Sequence, residues 1–88
     1  MVEKEVEIVN RAGIHTRPAS LIVKTAAKFK SEIYLIKDGF GINAKSIIGI
    51  MTMGASKGTK LIISADGEDE QAAVKELSDL ISSGFGEP

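Results

Sequence analysis

The spacing of apolar residues changes repeatedly along this 88-residue chain, and this feature restricts the possible folds most. Apolar residues two apart give a strand one buried face, whereas spacings of three and four residues place them on one side of a helix. The segments follow in the order strand, helix, strand, strand, helix, strand, helix. That order predicts an α+β domain in which one sheet has helices packed on one face.

Four segments have the spacing or composition of strands. The first carries three apolar residues on one face and three glutamates on the other: Val2, Val6 and Ile8 against Glu3, Glu5 and Glu7. Residues 33–36 and 40–43 are β-prone runs joined by Lys37-Asp38-Gly39, and Asp-Gly between apolar runs indicates a hairpin. Residues 61–65 predict a further strand.

Three segments have features of helices. The first is expected to begin at Thr16 or Arg17, with the Thr16 hydroxyl suited to the N-cap. A short second helix follows Ser46 as its cap, and Asp69 is the expected cap of the last helix. The expected buried stripes are Ala19, Ile22, Val23, Ala26 and Phe29 in the first helix and Ala73, Val74, Leu77, Leu80 and Ile81 in the last. We expect residues 82–88, which are polar and rich in glycine, to fray.

Composition limits the class of protein. A chain of this length forms one core, so residues 1–88 are expected to be a single domain. Cysteine is absent, which excludes disulfides and thiolate metal sites and is compatible with a reducing cytoplasm. The net charge of −1 argues against a general nucleic-acid binder, and no segment is apolar enough for a signal peptide or a membrane span. We expect a soluble, cytoplasmic monomer.

The segment Gly-Ile-His-Thr-Arg-Pro-Ala-Ser, residues 13–20, places the only histidine at the start of the first helix. Pro18 suits the first turn, and the unpaired N–H groups there, those of Thr16 and Arg17 among them, favour a bound anion. A guanidinium such as that of Arg17 binds phosphate in a bidentate manner, and an imidazole lone pair can attack phosphorus. A lone histidine at such a position is more often an ordinary surface residue. The combination with glycine, arginine and proline indicates a phosphohistidine.

The second segment of interest is Asn43-Ala44-Lys45-Ser46-Ile47-Ile48-Gly49-Ile50-Met51. A serine at a helix start is normally a structural cap. Ile47, Ile48 and Met51 follow at helical spacing, and that spacing alone favours a place in the core.

With these two motifs at this spacing, the chain resembles the histidine-containing phosphocarrier (HPr) family of the bacterial phosphoenolpyruvate-dependent sugar phosphotransferase system. The resemblance covers essentially the whole chain. It implies an open-faced β-sandwich with four antiparallel strands and three helices on one face. It also implies that His15 accepts a phosphoryl group from enzyme I and passes it to the IIA domains of sugar permeases, with Arg17 stabilising the group.

The resemblance further implies that Ser46 is phosphorylated by an ATP-dependent HPr kinase/phosphorylase and then contacts a catabolite-control transcription factor. It makes the apolar residues after Ser46 a partner-facing patch rather than core. The expected partner surface consists of Arg17, Ser20, Lys24, Lys45, Ile47, Ile48 and Met51. The chain would be a carrier and not an enzyme, with no metal or organic cofactor, since transfer from a donor phosphohistidine needs only positioning and charge neutralisation.

Two positions depart from the pattern of many relatives. Ala12 stands where many have a serine, so a hydroxyl contact to the phosphoryl group is absent there. Some relatives have an acidic residue near the carboxyl end, whereas this chain has Phe85 followed by Glu87 and Pro88, and no tail contact is assigned from the sequence.

Two other functions are compatible with parts of the sequence. One is a purely regulatory module, switched by phosphoserine, that binds a catabolite-control transcription factor; such relatives typically lack the histidine, so His15 argues against it. The other is a small RNA-binding domain suggested by Ile47-Ile48-Gly49, but Gly54 and Gly58 do not form the expected GxxG clamp.

Overall fold

The computed structural model describes all 88 residues and contains the expected elements in the expected order. The strands are β1 (Val2–Glu7), β2 (Glu32–Lys37), β3 (Phe40–Asn43) and β4 (Lys60–Asp66). The helices are α1 (Thr16–Ala26), α2 (Ile47–Met53) and α3 (Glu70–Ser82). All neighbouring strands are antiparallel, in the order β1-β4-β2-β3, and the helices pack on one face of the sheet. The α+β open-faced sandwich is therefore confirmed.

The core lies between the sheet and the helices. Ile63 of β4 pairs with Leu35 of β2, and both side chains are fully buried. In α1 the side chains of Ala19, Ile22 and Ala26 are buried and Val23 is half-buried. Phe29, which was expected in this helix, lies three residues beyond its end and is half-buried against the core. The stripe of α3 is buried except for Leu80, which is half-buried. No helix has both the length and the apolar character that crossing a bilayer requires.

The hairpin between β2 and β3 has the two-residue turn expected from Asp-Gly. Lys37 pairs with Phe40, and the two residues between them, Asp38 and Gly39, have φ angles of 50° and 83°. Such left-handed angles at both central positions match the twist of the flanking strands. The turn thereby fixes the register that places Ile42 opposite Leu35.

Asp69 stands at the N-cap of α3 as expected, but its side chain makes no capping hydrogen bond. The carboxylate instead accepts hydrogen bonds from the backbone N–H groups of Lys30 and Ser31 and from the Ser31 hydroxyl. These hydrogen bonds lower the pKa of Asp69 to about 2, and the bond from the Ser31 hydroxyl has the largest effect. Asp69 therefore connects the start of α3 to the loop before β2. The two residues are 38 apart in the chain, so the preference of aspartate for N-cap positions does not predict this contact.

Because folding lowers the pKa of Asp69 below its ordinary 3.8, its contribution to stability is complete above about pH 4 and is lost as the pH falls towards 2. We expect the free energy of unfolding of Asp69→Asn to depend less on pH over this interval than that of the parent. Chemical denaturation at a series of pH values measures this. Glu68→Gln is the matched control, because the exposed Glu68 carboxylate has no hydrogen-bond or ion-pair partner. Equal pH dependence in parent and Asp69→Asn would contradict the assignment.

The expectation that residues 82–88 fray is wrong. After α3, a turn over Gly84–Gly86 buries the Phe85 side chain, which is only 2% exposed. Phe85 has a φ of 58°, and the Arg11 N–H donates to the Pro88 carbonyl at 2.8 Å. We refer to residues 84–88 as the tail. One buried aromatic residue outweighs the local preference of a glycine-rich segment for disorder.

Candidate functional site

The segment before α1 forms a tight loop that ends at His15. The Gly13 N–H donates to the Asn10 carbonyl, and the Ile14 N–H donates to the Ala55 carbonyl at 2.9 Å. Gly13 has a φ of +69°, and a Cβ there would lie 2.6 Å from the Ala55 oxygen, so only glycine allows this approach. Ile14 is buried beside it and anchors the loop. The loop therefore holds His15 in a fixed place at the end of α1.

His15, and not Thr16, is the N-cap residue of α1, which corrects the expected cap. Its backbone is extended, with φ of −100° and ψ of −165°, and its carbonyl accepts from the Ala19 N–H at 3.0 Å. The helix consequently begins at Thr16, within the expected range. The N–H groups of Thr16 and Arg17 have no intrahelical acceptor in this first turn and make no other hydrogen bond in the protein.

The His15 imidazole reaches solvent, with 44% of its side chain exposed. It makes no capping bond to α1. Its Nε2 lies 2.8 Å from Oε1 of Glu87 in the tail, 72 residues away. An ionised carboxylate can only accept, so the hydrogen of this bond belongs to Nε2 and Nδ1 is the nitrogen without a partner.

Arg17 also contacts the tail. Its Nη1 donates to the Phe85 carbonyl at 2.8 Å and to Oε2 of Glu87 at 3.0 Å. The remaining guanidinium N–H groups have no partner, and the side chain stays exposed. Glu87 thus bridges the two residues that the sequence placed in the site. Hydrogen bonds from His15, then Asn10, then Arg17 lower the pKa of Glu87 below its ordinary 4.5, so it is ionised at neutral pH.

Sequence reasoning missed Glu87 and Asn10. Asn10 is 1% exposed, and its Nδ2 donates to the Gly13 carbonyl at 2.8 Å and to Oε1 of Glu87 at 2.9 Å. The sequence did contain a signal for the tail contact. A single phenylalanine in the tail indicates that the tail is anchored in the core, and the glutamate two residues after it could then reach the site. Ala12 is exposed and contributes no polar side chain to the site.

The other expected partner-surface residues lie on α1 and α2. Arg17, Ser20 and Lys24 occur at helical spacing along one side of α1, with Ser20 half-buried and Lys24 exposed. Lys45 is exposed, and its Nζ donates to the Phe29 carbonyl at 2.8 Å. No group of three His, Cys, Asp or Glu side chains is arranged to hold a metal ion.

Ser46 is the N-cap of α2, and its Oγ accepts from the Gly49 N–H at 3.1 Å. The three apolar residues that follow at helical spacing are exposed, Ile48 to 76%. We call them the α2 patch: Ile47, Ile48 and Met51. Ile50 alone is the buried residue of α2, so a place in the core, which spacing favoured for the other three, is wrong. Apolar side chains left uncovered side by side are typical of surfaces that bind other proteins.

The site thus combines a solvent-exposed histidine at the first turn of α1 with an arginine beside it, on an open-faced sandwich. Comparison with known proteins identifies the family. Residues 2–83 match the family model for the PTS HPr component phosphorylation site. The chain belongs to the HPr family of phosphocarrier proteins.

Individual relatives are similar in sequence to this chain over most or all of its length. Phosphocarrier protein HPr of Treponema pallidum is 46% identical over 87 residues, which cover 99% of both chains. The HPr-like protein Crh of Bacillus subtilis is 45% identical over 78 residues, 89% of this chain and 92% of that protein. The crystal structure of HPr-C-His from Thermoanaerobacter tengcongensis has a TM-score of 0.96 and 52% identity, covering 100% of this chain and 99% of that chain.

Proposed function

We propose that this protein carries a phosphoryl group on His15, taking it from the phosphohistidine of enzyme I and passing it to IIA domains. The observation that carries the proposal is the accessible imidazole beside the partnerless N–H groups of Thr16 and Arg17. These groups and the Arg17 guanidinium are donors suited to the oxygens of a phosphoryl dianion. Membership of the HPr family supports enzyme I and IIA domains as the general classes of partner.

The transfer exchanges one N–P bond for another. The lone pair of His15 forms a bond to phosphorus while the N–P bond of the donor breaks and its electron pair returns to the donor imidazole. Because Nε2 carries the hydrogen directed at Glu87, the nitrogen with the free lone pair is Nδ1. Transfer to a IIA domain reverses these roles, so the chain needs to hold and position the group and no more. The partners supply the catalytic groups, which makes this chain a carrier rather than an enzyme.

Docking needs a surface that partners can leave quickly, with an apolar centre and charges around it. The α2 patch provides the centre, and Arg17, Lys24 and Lys45 provide the surrounding charges, with Ser20 between the first two on α1. We assign this surface to enzyme I and the IIA domains. The chain is expected to act as a monomer in the cytoplasm.

Incubation with phosphoenolpyruvate and enzyme I, followed by intact mass measurement, tests the carrier function. We expect one added phosphoryl group that is lost in acid, because the N–P bond of phosphohistidine is acid-labile whereas a serine phosphate is stable. Enzyme I alone or phosphoenolpyruvate alone should add none. Failure to gain the group, or gain of an acid-stable group only, would refute the proposal.

A regulatory function at Ser46 is favoured by a separate observation. Ser46 lies next to the α2 patch, and a phosphoryl group there would face the first N–H groups of α2. We propose phosphorylation by an ATP-dependent HPr kinase/phosphorylase, after which the patch and the phosphate together can be recognised by a catabolite-control transcription factor. The similarity to the HPr-like protein Crh leaves a purely regulatory function as the alternative. Acid-stable label at Ser46 without any acid-labile label at His15 would favour that alternative.

A further inference from the structure

The Glu87 carboxylate is held by three different side chains. Its Oε1 accepts from His15 Nε2 at 2.8 Å and from Asn10 Nδ2 at 2.9 Å, and its Oε2 accepts from Arg17 Nη1 at 3.0 Å. Its side chain is only 18% exposed. A glutamate side chain on a protein surface is normally solvated. The arrangement therefore requires a specific account.

Asn10 is built to present both of its amide hydrogens. One N–H is used by the Gly13 carbonyl and the other by Glu87, both of which can only accept. Turning the amide over would place its oxygen against these two acceptors, so its orientation is determined by chemistry. The Asn10 Oδ1 is buried without any partner, which is unfavourable. An apolar side chain would fill the space without that cost, so packing alone does not explain an asparagine here.

The contacts of the tail hold the Glu87 carboxylate within hydrogen-bond distance of Asn10. Phe85 is buried, the Glu87 N–H donates to the Gly84 carbonyl, and the Pro88 carbonyl accepts from Arg11. Arg11 directly follows Asn10, so the same loop fixes the tail from its backbone and from a side chain. The carboxylate is consequently placed before any partner arrives.

We propose that Asn10 and Glu87 are positioning residues for the phosphoryl acceptor, an inference that rests on the proposed function of His15. Asn10 fixes the carboxylate, and the carboxylate holds the imidazole in one orientation with the hydrogen on Nε2 and the lone pair on Nδ1. The same carboxylate holds Arg17 beside the ring through its other oxygen. The nucleophile and its cation are thus kept in one arrangement by a single anion, which reduces the ordering that the transfer step must supply.

The test uses the full chain with Glu87→Ala and the control Pro88→Ala, which keeps the backbone carbonyl that Arg11 binds. Nitrogen-15 NMR of His15 reports the ring directly. We expect the parent to show an Nε2 hydrogen protected from exchange with water, and Glu87→Ala to lose it by fast exchange while the backbone spectrum changes only near the tail. Unchanged ring signals in Glu87→Ala would overturn the inference.

Kinetics with enzyme I provide the second measurement. For Glu87→Ala we expect kcat for phosphoryl acceptance to fall at least about 10-fold with little change in KM, because misplacement of a reacting group acts on the transfer step. Glu87→Gln, which keeps an oxygen for Asn10 and His15, should recover part of the loss. Transfer as fast as in the parent, or faster, would overturn the inference, since the carboxylate would then be idle or obstructive.

Asn10→Ala tests the other member of the pair. We expect its kcat to fall in the same direction, and the double variant with Glu87→Ala to be no slower than Glu87→Ala alone, since the two residues act as one unit. Fully additive losses would separate Asn10 from the mechanism. If Asn10→Ala fails to fold, the Glu87 variants still decide the inference. The NMR measurement needs no phosphoryl donor, so failure of the positioning role is distinguishable from failure of phosphorylation at His15.

Discussion

His15→Ala should accept no acid-labile phosphoryl group from phosphoenolpyruvate and enzyme I, a complete loss of carrier function. His15 is the only histidine of the chain, so no second imidazole can replace it as the acceptor. The loss should not arise from unfolding. The ring is exposed, and its only side-chain hydrogen bond is to Glu87. Circular dichroism and thermal unfolding of the variant are expected to remain close to those of the parent.

Ser46→Ala provides the matched control for this result. It removes the other proposed phosphorylation site and leaves His15 and Arg17 unchanged, so it should still gain the acid-labile group. Its cost is structural, about 1 kcal/mol for loss of the N-cap bond to Gly49. Acid-labile label that persists in His15→Ala would show that the acceptor is another residue and would refute the assignment of His15.

Local patterns in the sequence predicted most of the fold because those elements are stabilised by neighbours in the chain. The Asp38-Gly39 turn follows from two residues that tolerate left-handed angles. The Ser46 cap follows from a hydroxyl three residues before the N–H that it binds. The stripes of α1 and α3 follow from helical periodicity. In each case the physical cause lies within a few residues of the feature.

Apart from the N-cap of α1, which is displaced by one residue, the errors concern features that depend on residues far apart in the chain. The carboxylate of Asp69 binds a loop 38 residues away instead of capping α3, and Glu87 reaches His15 across 72 residues. Neither the propensity of Asp69 for a cap nor the glycine content of the tail contains information about these partners. The α2 patch shows the same limit, because helical spacing indicates that residues share a face but not whether the fold covers it.

The histidine and arginine of the candidate site were therefore predictable, whereas the residues that surround them were not. His15 and Arg17 follow from a local motif at a helix start. The carboxylate that bridges them follows only from the burial of Phe85, which brings the tail back to the loop before α1. The tail's sequence contains the phenylalanine that can act as an anchor, but the packed core determines where that side chain is buried.

Ser46→Asp should lower the rate at which His15 accepts phosphoryl from enzyme I, on the order of 10-fold at low ionic strength. α2 carries no charged residue of its own, so a carboxylate at its N-cap places a full negative charge at the edge of the α2 patch. If the enzyme I surface is acidic, as the basic residues around the patch suggest, that charge opposes encounter. Phosphoserine, with a charge of about −2, should act in the same direction and more strongly.

Ser46→Asn separates charge from capping in this experiment. Asparagine caps a helix about as well as aspartate and has nearly the same shape, so both variants should retain α2. Only Ser46→Asp should be slow, and the difference between the two should shrink as salt is raised, because the Debye length falls from about 10 Å at 0.1 M to about 3 Å at 1 M. Initial rates of acid-labile labelling at several salt concentrations measure this. Equal rates for the two variants at low salt would mean that charge at position 46 does not control access to His15, and the regulatory site would then need a mechanism other than electrostatic repulsion of the donor.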